Sequence, residues 1–363
     1  MIPKPSEWTD DSQDSFGRLR PKCRAEPSQK VAAATDPPMN MSLNCLITGG
    51  LGFIGSHLAR RLVQEGHQVT VIDSLIPEYG GNLVNVADIR HKITINISDI
   101  RDPFATRELL KGVQWVFNLA GQTSHADSMS DPFTDLDINA KAQLSLLEAV
   151  REVSPDAVVV FASTRQIYGR PQYLPVDESH PIRPVDVNGV NKLAGEQYHL
   201  LYHDVYGIRT CALRLTNTYG PAMRIKDARQ TFLGIWIRNL LTGQPIKVFG
   251  DGNQLRDFNF VDDVVEALIR AASKGSCHGK VINLGSPEVV SLSDLAGRVS
   301  ELQPGGSWEL VPFPEERRRI DIGDYYSDHA LALTLLDWKP KVELDAGLAN
   351  TVNYYRNHLP SYL

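Results

Sequence analysis

No apolar run in this sequence approaches the roughly 20 residues that a helix needs to cross a bilayer, so a soluble chain without a membrane span is expected. A positive surplus is missing too. The 37 lysines and arginines are outnumbered by 43 aspartates and glutamates, which leaves no basic field for a phosphate backbone and argues against nucleic acid as a partner. Cysteine is scarce: Cys23, Cys45, Cys211 and Cys277 stand far apart, with no metal-ligand or redox spacing. That pattern predicts no bound metal and fits a reducing cytoplasm. The first 42 residues have no hydrophobic period and no apolar leader core; their proline, serine and charge predict a disordered extension.

What is present is a globular chain, 42% hydrophobic and 363 residues long, more than one ordinary core fills. Order begins at Leu43. The segment NCLITGGLGFIGSHLARRLVQEGHQVTVIDS reads as a short strand, a glycine turn, an amphipathic helix with Leu58, Leu62 and Val63 on one face, and a second strand. Gly49, Gly50, Gly52 and Gly55 fall between strand and helix, where glycine lets the backbone turn tightly and approach a pyrophosphate at the helix N-terminus. Asp73 ends the second strand, where its carboxylate suits an adenosine ribose diol and repels a 2′-phosphate; NAD rather than NADP is therefore expected.

Strands and helices keep alternating. ITINISDIRD predicts a third strand reaching Asp99 and Ile100, QWVFNLAGQ a fourth carrying Asn118 to Gln122, and AVVVFASTRQIYG a fifth ending at Ser163 and Thr164. The fold class is α/β: a Rossmann doubly wound parallel sheet with a smaller α/β C-terminal substrate-binding lobe. The boundaries read from the sequence are an NAD-binding domain over 43–215, joined again by 250–285, and a second lobe built from 216–249 and 286–363. Ligands belong beyond the carboxyl ends of the strands, where Gly49, Asp73, Asp99, Ala120 and Thr164 fall.

With these residues in view, the chain resembles the extended short-chain dehydrogenase/reductases, and among them the NAD-dependent sugar epimerase/dehydratase family. The resemblance runs from Leu43 to Tyr355 through TGGLGFIG, Asp73, Asp99, NLAGQ, the helix with Asn139, STRQIYG, NKLAGE, RLTNTYGP, VFGDGNQLRDFNFVDD and LDWKP. It implies a nucleotide diphosphate sugar held beside the nicotinamide, as in nucleotide-sugar 4-epimerases and UDP-glucuronate decarboxylases. Phe53, Ile54, Ile100, Leu119 and Ala120 would join the glycines, Asp73 and Asp99 around the cofactor. Thr164 matches the residue that bonds the hydroxyl being oxidised, and Lys192 the lysine that binds the nicotinamide ribose. Asn217, Arg256 and Arg318 match residues near the diphosphate and nucleotide, with the register around Arg317 to Arg319 open by one. Ser124 and His125 would border the sugar, while Arg165, Gln166 and Arg224 in RIKDAR would face either an acidic sugar or the diphosphate. The helices around Asn139 to Val150 and Lys192 to Tyr206 correspond to those that pair relatives into homodimers.

One position departs from the pattern. The resemblance calls for tyrosine one helical turn before Lys192, and Asn188 stands there. A phenol can give up a proton and then take one from a hydroxyl; an amide cannot near neutral pH. Candidate replacements are Lys192 itself if neutral, a water held by Asn188 and Thr164, Asp186, or Tyr168, whose place in the IYG turn favours packing. A different order of proton and hydride steps would also serve. The leading expectation is an NAD-dependent epimerase of nucleotide sugars, with dehydration or decarboxylation next. The alternative is a non-catalytic NAD and nucleotide-sugar binding protein. Asp262 and Asp263 are expected to cap a helix start, and Trp338 to pack in a turn between elements of the smaller lobe.

Overall fold

Twelve strands carry the described part of the chain, β1 Asn44–Thr48, β2 Gln68–Asp73, β3 Ile93–Ile97, β4 Trp115–Asn118, β5 Val158–Thr164, β6 Arg209–Leu215, β7 Asn217–Tyr219, β8 Ile246–Phe249, β9 Leu255–Phe260, β10 Lys280–Leu284, β11 Val289–Ser291 and β12 Trp308–Val311. The computed structural model describes residues 42–79, 81–227 and 229–363, so the expected N-terminal extension lies, but for Ser42, outside the described residues. A seven-stranded sheet has the order β10-β6-β5-β4-β1-β2-β3, and each of its pairings is parallel. Its central strands are apolar because helices cover both faces: β4 is buried along its length and β1 at all but its first residue. This is the doubly wound Rossmann architecture that the alternation predicts.

A second sheet, β11-β9-β7, and the parallel pair β12–β8 share a separate apolar core with the helices Phe232–Leu241, Leu292–Glu301 and Leu344–His358. The chain crosses back after β9. The helix Val261–Ser273 packs Val264, Val265, Leu268 and its alanines into the core of the main sheet, and β10 then adds to that sheet's edge.

Asp262 and Asp263 lie in the first turn of the helix Val261–Ser273 and Trp338 is packed, both as expected; three details differ. Trp338, 1% exposed, lies in the core of the main sheet and donates its indole N–H to the Asp263 carbonyl at 2.8 Å. The Asp263 carboxylate does not cap its own helix; Oδ2 accepts the N–H groups of Lys341 and Val342, each at 3.0 Å. An acid in a first helical turn is drawn equally to any nearby backbone donors, and here a returning strap supplies two. The third and fourth strands also stop short of their expected ends. After Asn118 the N–H groups of Leu119 and Ala120 turn to the hydroxyl of Thr48, both at 3.0 Å, instead of continuing a ladder.

No helix among the described residues is long and apolar enough to cross a membrane.

Candidate functional site

The strand order reverses between β1 and β4, and such a switch opens a crevice at the strands' carboxyl ends. Here it is held open by a buried polar brace. Thr48 donates to Asn118 Oδ1 at 2.9 Å while accepting the two N–H groups from the neighbouring loop. Asn118 in turn donates to Gln143 Oε1 at 2.6 Å and bonds His199 Nε2 at 3.2 Å. His199 spends Nδ1 on the Gly195 carbonyl at 2.7 Å, and burial pulls its pKa down to about 4, so it is a neutral structural imidazole.

From this crevice a cleft of about 860 Å³ runs across to the second sheet. Gly49, Gly52, Phe53, Ile54, Gly55, Asp73, Asp99, Ile100, Leu119 and Ala120 all line it. Gly49 has φ +68°, and a Cβ there would sit 3.1 Å from the Ala120 backbone, so glycine is what lets the turn and the β4 loop approach. The helix Phe53–Gln64 begins without a side-chain cap, leaving its first N–H groups facing the cleft for an anion. Asp73 accepts from Leu51 N at 3.0 Å and Leu75 N at 2.9 Å; burial raises its pKa against those bonds. Asp99 is clamped by Arg101, with Nε–Oδ1 2.9 Å and Nη2–Oδ2 2.7 Å, and that pairing holds its carboxyl below the ordinary value. The glycine turn, free helix end and strand-end carboxylate fit a dinucleotide.

Thr164, Asn188 and Lys192 line the same cleft. Thr164 ends β5; its Oγ1 accepts the Gln166 N–H at 3.2 Å, and its own hydrogen has no acceptor among the described residues. Asn188 and Lys192 lie one turn apart on the helix Val187–Tyr206, whose first turn is capped by Asp186 accepting from Gly189 N at 2.6 Å. The Asn188 amide nitrogen donates among the Gln122 carbonyl at 2.8 Å, Asp135 Oδ2 at 2.9 Å and Gln122 Oε1 at 3.2 Å. Its two hydrogens are committed, so the atom left for the cleft is the acceptor Oδ1. Lys192 Nζ donates to the Ala162 carbonyl at 3.3 Å and lies 5.1 Å from the centre of the Phe161 ring. Burial pulls its ammonium down to about 8, and the Asp135 carboxylate partly opposes that.

The two other candidate bases are engaged elsewhere. Tyr168 is fully buried, donates to Asn283 Oδ1 at 2.8 Å and accepts from Arg214 Nη1 at 2.6 Å; burial pushes its phenol up to about 12. Asp186 does not line the cleft. It caps the helix and accepts from Gln166 Nε2 at 2.8 Å. His125 Nδ1 lies 3.0 Å from it, at ion-pair distance but off the hydrogen-bonding line. Burial raises the Asp186 carboxyl, yet His125 and the two donors outweigh this and hold it below the usual range.

Ser124, His125, Arg165, Gln166, Asn217 and Arg256 also line the cleft; Arg224 and Arg318 do not. Arg224 is bound to Asp227, at 2.7 and 2.5 Å, and to the Pro77 carbonyl at 2.6 Å. Arg318 borders a separate shallow depression, and its neighbour Arg317 faces the cleft instead. Gln122, Asp135 and the aromatic wall of Phe232, Trp236 and Phe249 were not foreseen. Asp135 sits in the short helix Pro132–Leu136, and no local pattern marks it.

The model of the NAD dependent epimerase/dehydratase family matches residues 45–285. UDP-glucose 4-epimerase of Mycolicibacterium smegmatis is 32% identical over 318 residues, covering 87% of this chain and 99% of that protein. UDP-glucuronic acid decarboxylase 1 of Xenopus tropicalis is 31% identical over 325 residues, 86% of this chain and 72% of that one. Among solved structures, the UDP-glucose 4-epimerase of Thermotoga maritima with UDP-glucose superposes with TM-score 0.79 at 30% identity, covering 87% of this chain and all (100%) of that one.

Proposed function

This chain belongs to the NAD-dependent epimerase/dehydratase family, and from that premise we propose that it epimerises a hydroxyl-bearing ring carbon of a nucleotide diphosphate sugar. The observation that carries this reading is the single cleft that joins the glycine turn and Asp73 to Thr164, Asn188 and Lys192, then continues past Arg256 to an aromatic wall. A cleft of about 860 Å³ with this lining suits a dinucleotide together with a sugar nucleotide.

When bound, NAD supplies the hydride acceptor and donor. The chain's own residues handle the proton. Thr164 orients the sugar hydroxyl with its free hydrogen, Asn188 Oδ1 offers a second fixed contact, and Lys192 takes the hydroxyl proton. Lys192 suits this because a group near pH 8 exchanges protons readily at neutral pH, which an amide does not. The same ammonium gives the proton back when the ketone is reduced from the other face, so the lysine ends each cycle unchanged.

Proton NMR in deuterated water, with NAD and a panel of UDP-, GDP-, dTDP- and CDP-sugars, tests this directly. A second sugar spin system without carbon-bound deuterium is expected, since hydride is returned internally. Deuterium on a ring carbon would replace epimerisation with elimination or decarboxylation. An unchanged spectrum together with line-broadened, bound ligand would defeat the catalytic reading.

Gly121 offers a more selective probe. A Cβ there would lie 2.7 Å from Lys192 Nζ and 2.9 Å from Asn139 Oδ1. Gly121→Ala is therefore expected to displace the reactive nitrogen while leaving the fold intact. Misplacement by about 1 Å costs on the order of 10²-fold, so kcat should fall by about that factor with Tm shifted by no more than a few degrees. Wild-type kcat in the alanine variant would remove Lys192 from the chemistry.

A further inference from the structure

We propose that Arg165 is the receptor for a carboxylate on the substrate's sugar ring, so that the preferred substrate is a nucleotide diphosphate uronate rather than a neutral hexose. This rests on the nucleotide-sugar reading above.

Arg165 follows Thr164 directly at the end of β5, so its backbone stands at the part of the cleft where the reacting hydroxyl is bound. Its guanidinium, unlike most others around the cleft, forms no hydrogen bond and no ion pair within the described residues. Nε is buried without a partner. The guanidinium carbon sits 5.5 Å from the centre of the Tyr325 ring, which supports the group without using its N–H donors. A guanidinium keeps its charge under all ordinary conditions and has no acceptor atom, so these donors need an anion.

The nearby carboxylates do not supply it. Asp257 is fully buried and attracts Arg165 at a distance, but its oxygens accept from the Thr216 hydroxyl, Ser327 N at 3.1 Å and Ser286 N at 3.4 Å. Asp321 accepts from Gln254 Nε2 at 2.7 Å and Gly323 N at 3.1 Å. Arg256 makes the contrast plain. It donates to the carbonyls of Leu255 at 2.8 Å and Gly323 at 2.5 Å and to Gln254 Oε1 at 3.3 Å, which braces a turn. Burial, with repulsion from Arg165 second, pulls Arg256 down to about 10. Two guanidiniums thus repel one another in the cleft, and the one without partners adjoins Thr164.

The chemistry recognised is an oxyanion, and both a ring carboxylate and the diphosphate carry one. Titration of the NAD-loaded full chain with matched ligands separates them: UDP, UDP-glucose and UDP-glucuronate, with the corresponding GDP and dTDP sets. For whichever nucleotide binds, the uronate is expected to bind at least about 10-fold more tightly than the hexose, the lower range of a charge-assisted bidentate contact. Arg165→Met should erase that preference and leave the nucleoside diphosphate within about 2-fold, and Arg165→Lys should restore only part of it, because a point charge lacks the planar fork. If Arg165→Met weakens nucleoside diphosphate, hexose and uronate alike, the guanidinium serves the diphosphate and the proposal falls. Equal affinity of the native chain for hexose and uronate overturns it without any variant, and leaves the nucleotide-sugar reading standing. Binding of none of the ligands overturns both.

Discussion

Lys192→Met is expected to lower kcat by about 10³-fold, within the 10² to 10⁴ that a positioned general base contributes. The fold should not suffer. Lys192 is 7% exposed, its one hydrogen bond among the described residues is the 3.3 Å contact to the Ala162 carbonyl, and its Nζ lies 5.1 Å from the centre of the Phe161 ring. An apolar side chain of similar shape removes a buried charge that costs stability at any pH where the unfolded lysine is protonated. Tm should therefore hold or rise, so lost turnover cannot be ascribed to unfolding. Lys192→Arg separates charge from proton transfer. Arginine keeps a cation at this position but cannot release a proton, and it should be as inactive as methionine.

The pH profile carries the sign. Burial lowers the Lys192 pKa from 10.5 to about 8, so the neutral amine, the form able to accept a proton, dominates above that value. In the native enzyme kcat should rise about tenfold per pH unit up to near pH 8 and then level, as for a single essential base. A profile flat between pH 6 and 9, or a methionine variant with more than a tenth of native kcat, would take the base role from Lys192.

How much of this was legible in the sequence depends on how local the determinant is. The glycine turn and Asp73 were, because a strand, a tight turn and a helix start constrain neighbouring residues and leave a short signature. The sheet followed from the same alternation of short apolar strands and helices. Arg224 was misleading: RIKDAR reads as a basic loop, yet Asp227 within the same six residues takes the guanidinium. Which residue of Arg317 to Arg319 faces the cleft is set by how the helix Glu315–Arg319 is rotated, and a run of identical side chains carries no phase. Trp338 was assigned to the wrong core because a turn motif says nothing about which sheet it returns to. Asp135 left no trace at all. It meets Asn188 across 53 positions, and its meaning depends on an asparagine that is itself the departure from pattern.

Asp135 is fully buried, and its two oxygens divide between two amides, Oδ2 taking Asn188 Nδ2 at 2.9 Å and Oδ1 taking Asn191 Nδ2 at 2.8 Å. Asp135→Asn offers one acceptor oxygen where two donors need one each. Either Asn191 is left unpaired or Asn188 turns and presents N–H₂ instead of Oδ1 to the cleft. The limiting kcat at high pH should fall by about 10- to 10²-fold, the range of a displaced orienting contact. The charge has its own effect. Asp135 favours the ammonium form of Lys192, so its removal lowers the lysine pKa further and moves the acidic limb of the profile to lower pH. Asp135→Glu, which keeps the charge but not the spacing, should lower kcat while leaving that limb near pH 8. A merely structural carboxylate would lower stability in both variants and move the limb in neither; a limb that moved upward would mean that the titrating group is not Lys192. The buried acid behind Asn188 thus performs two tasks, turning an amide so that it accepts and keeping the neighbouring amine close to its working pH, and the two variants measure them separately.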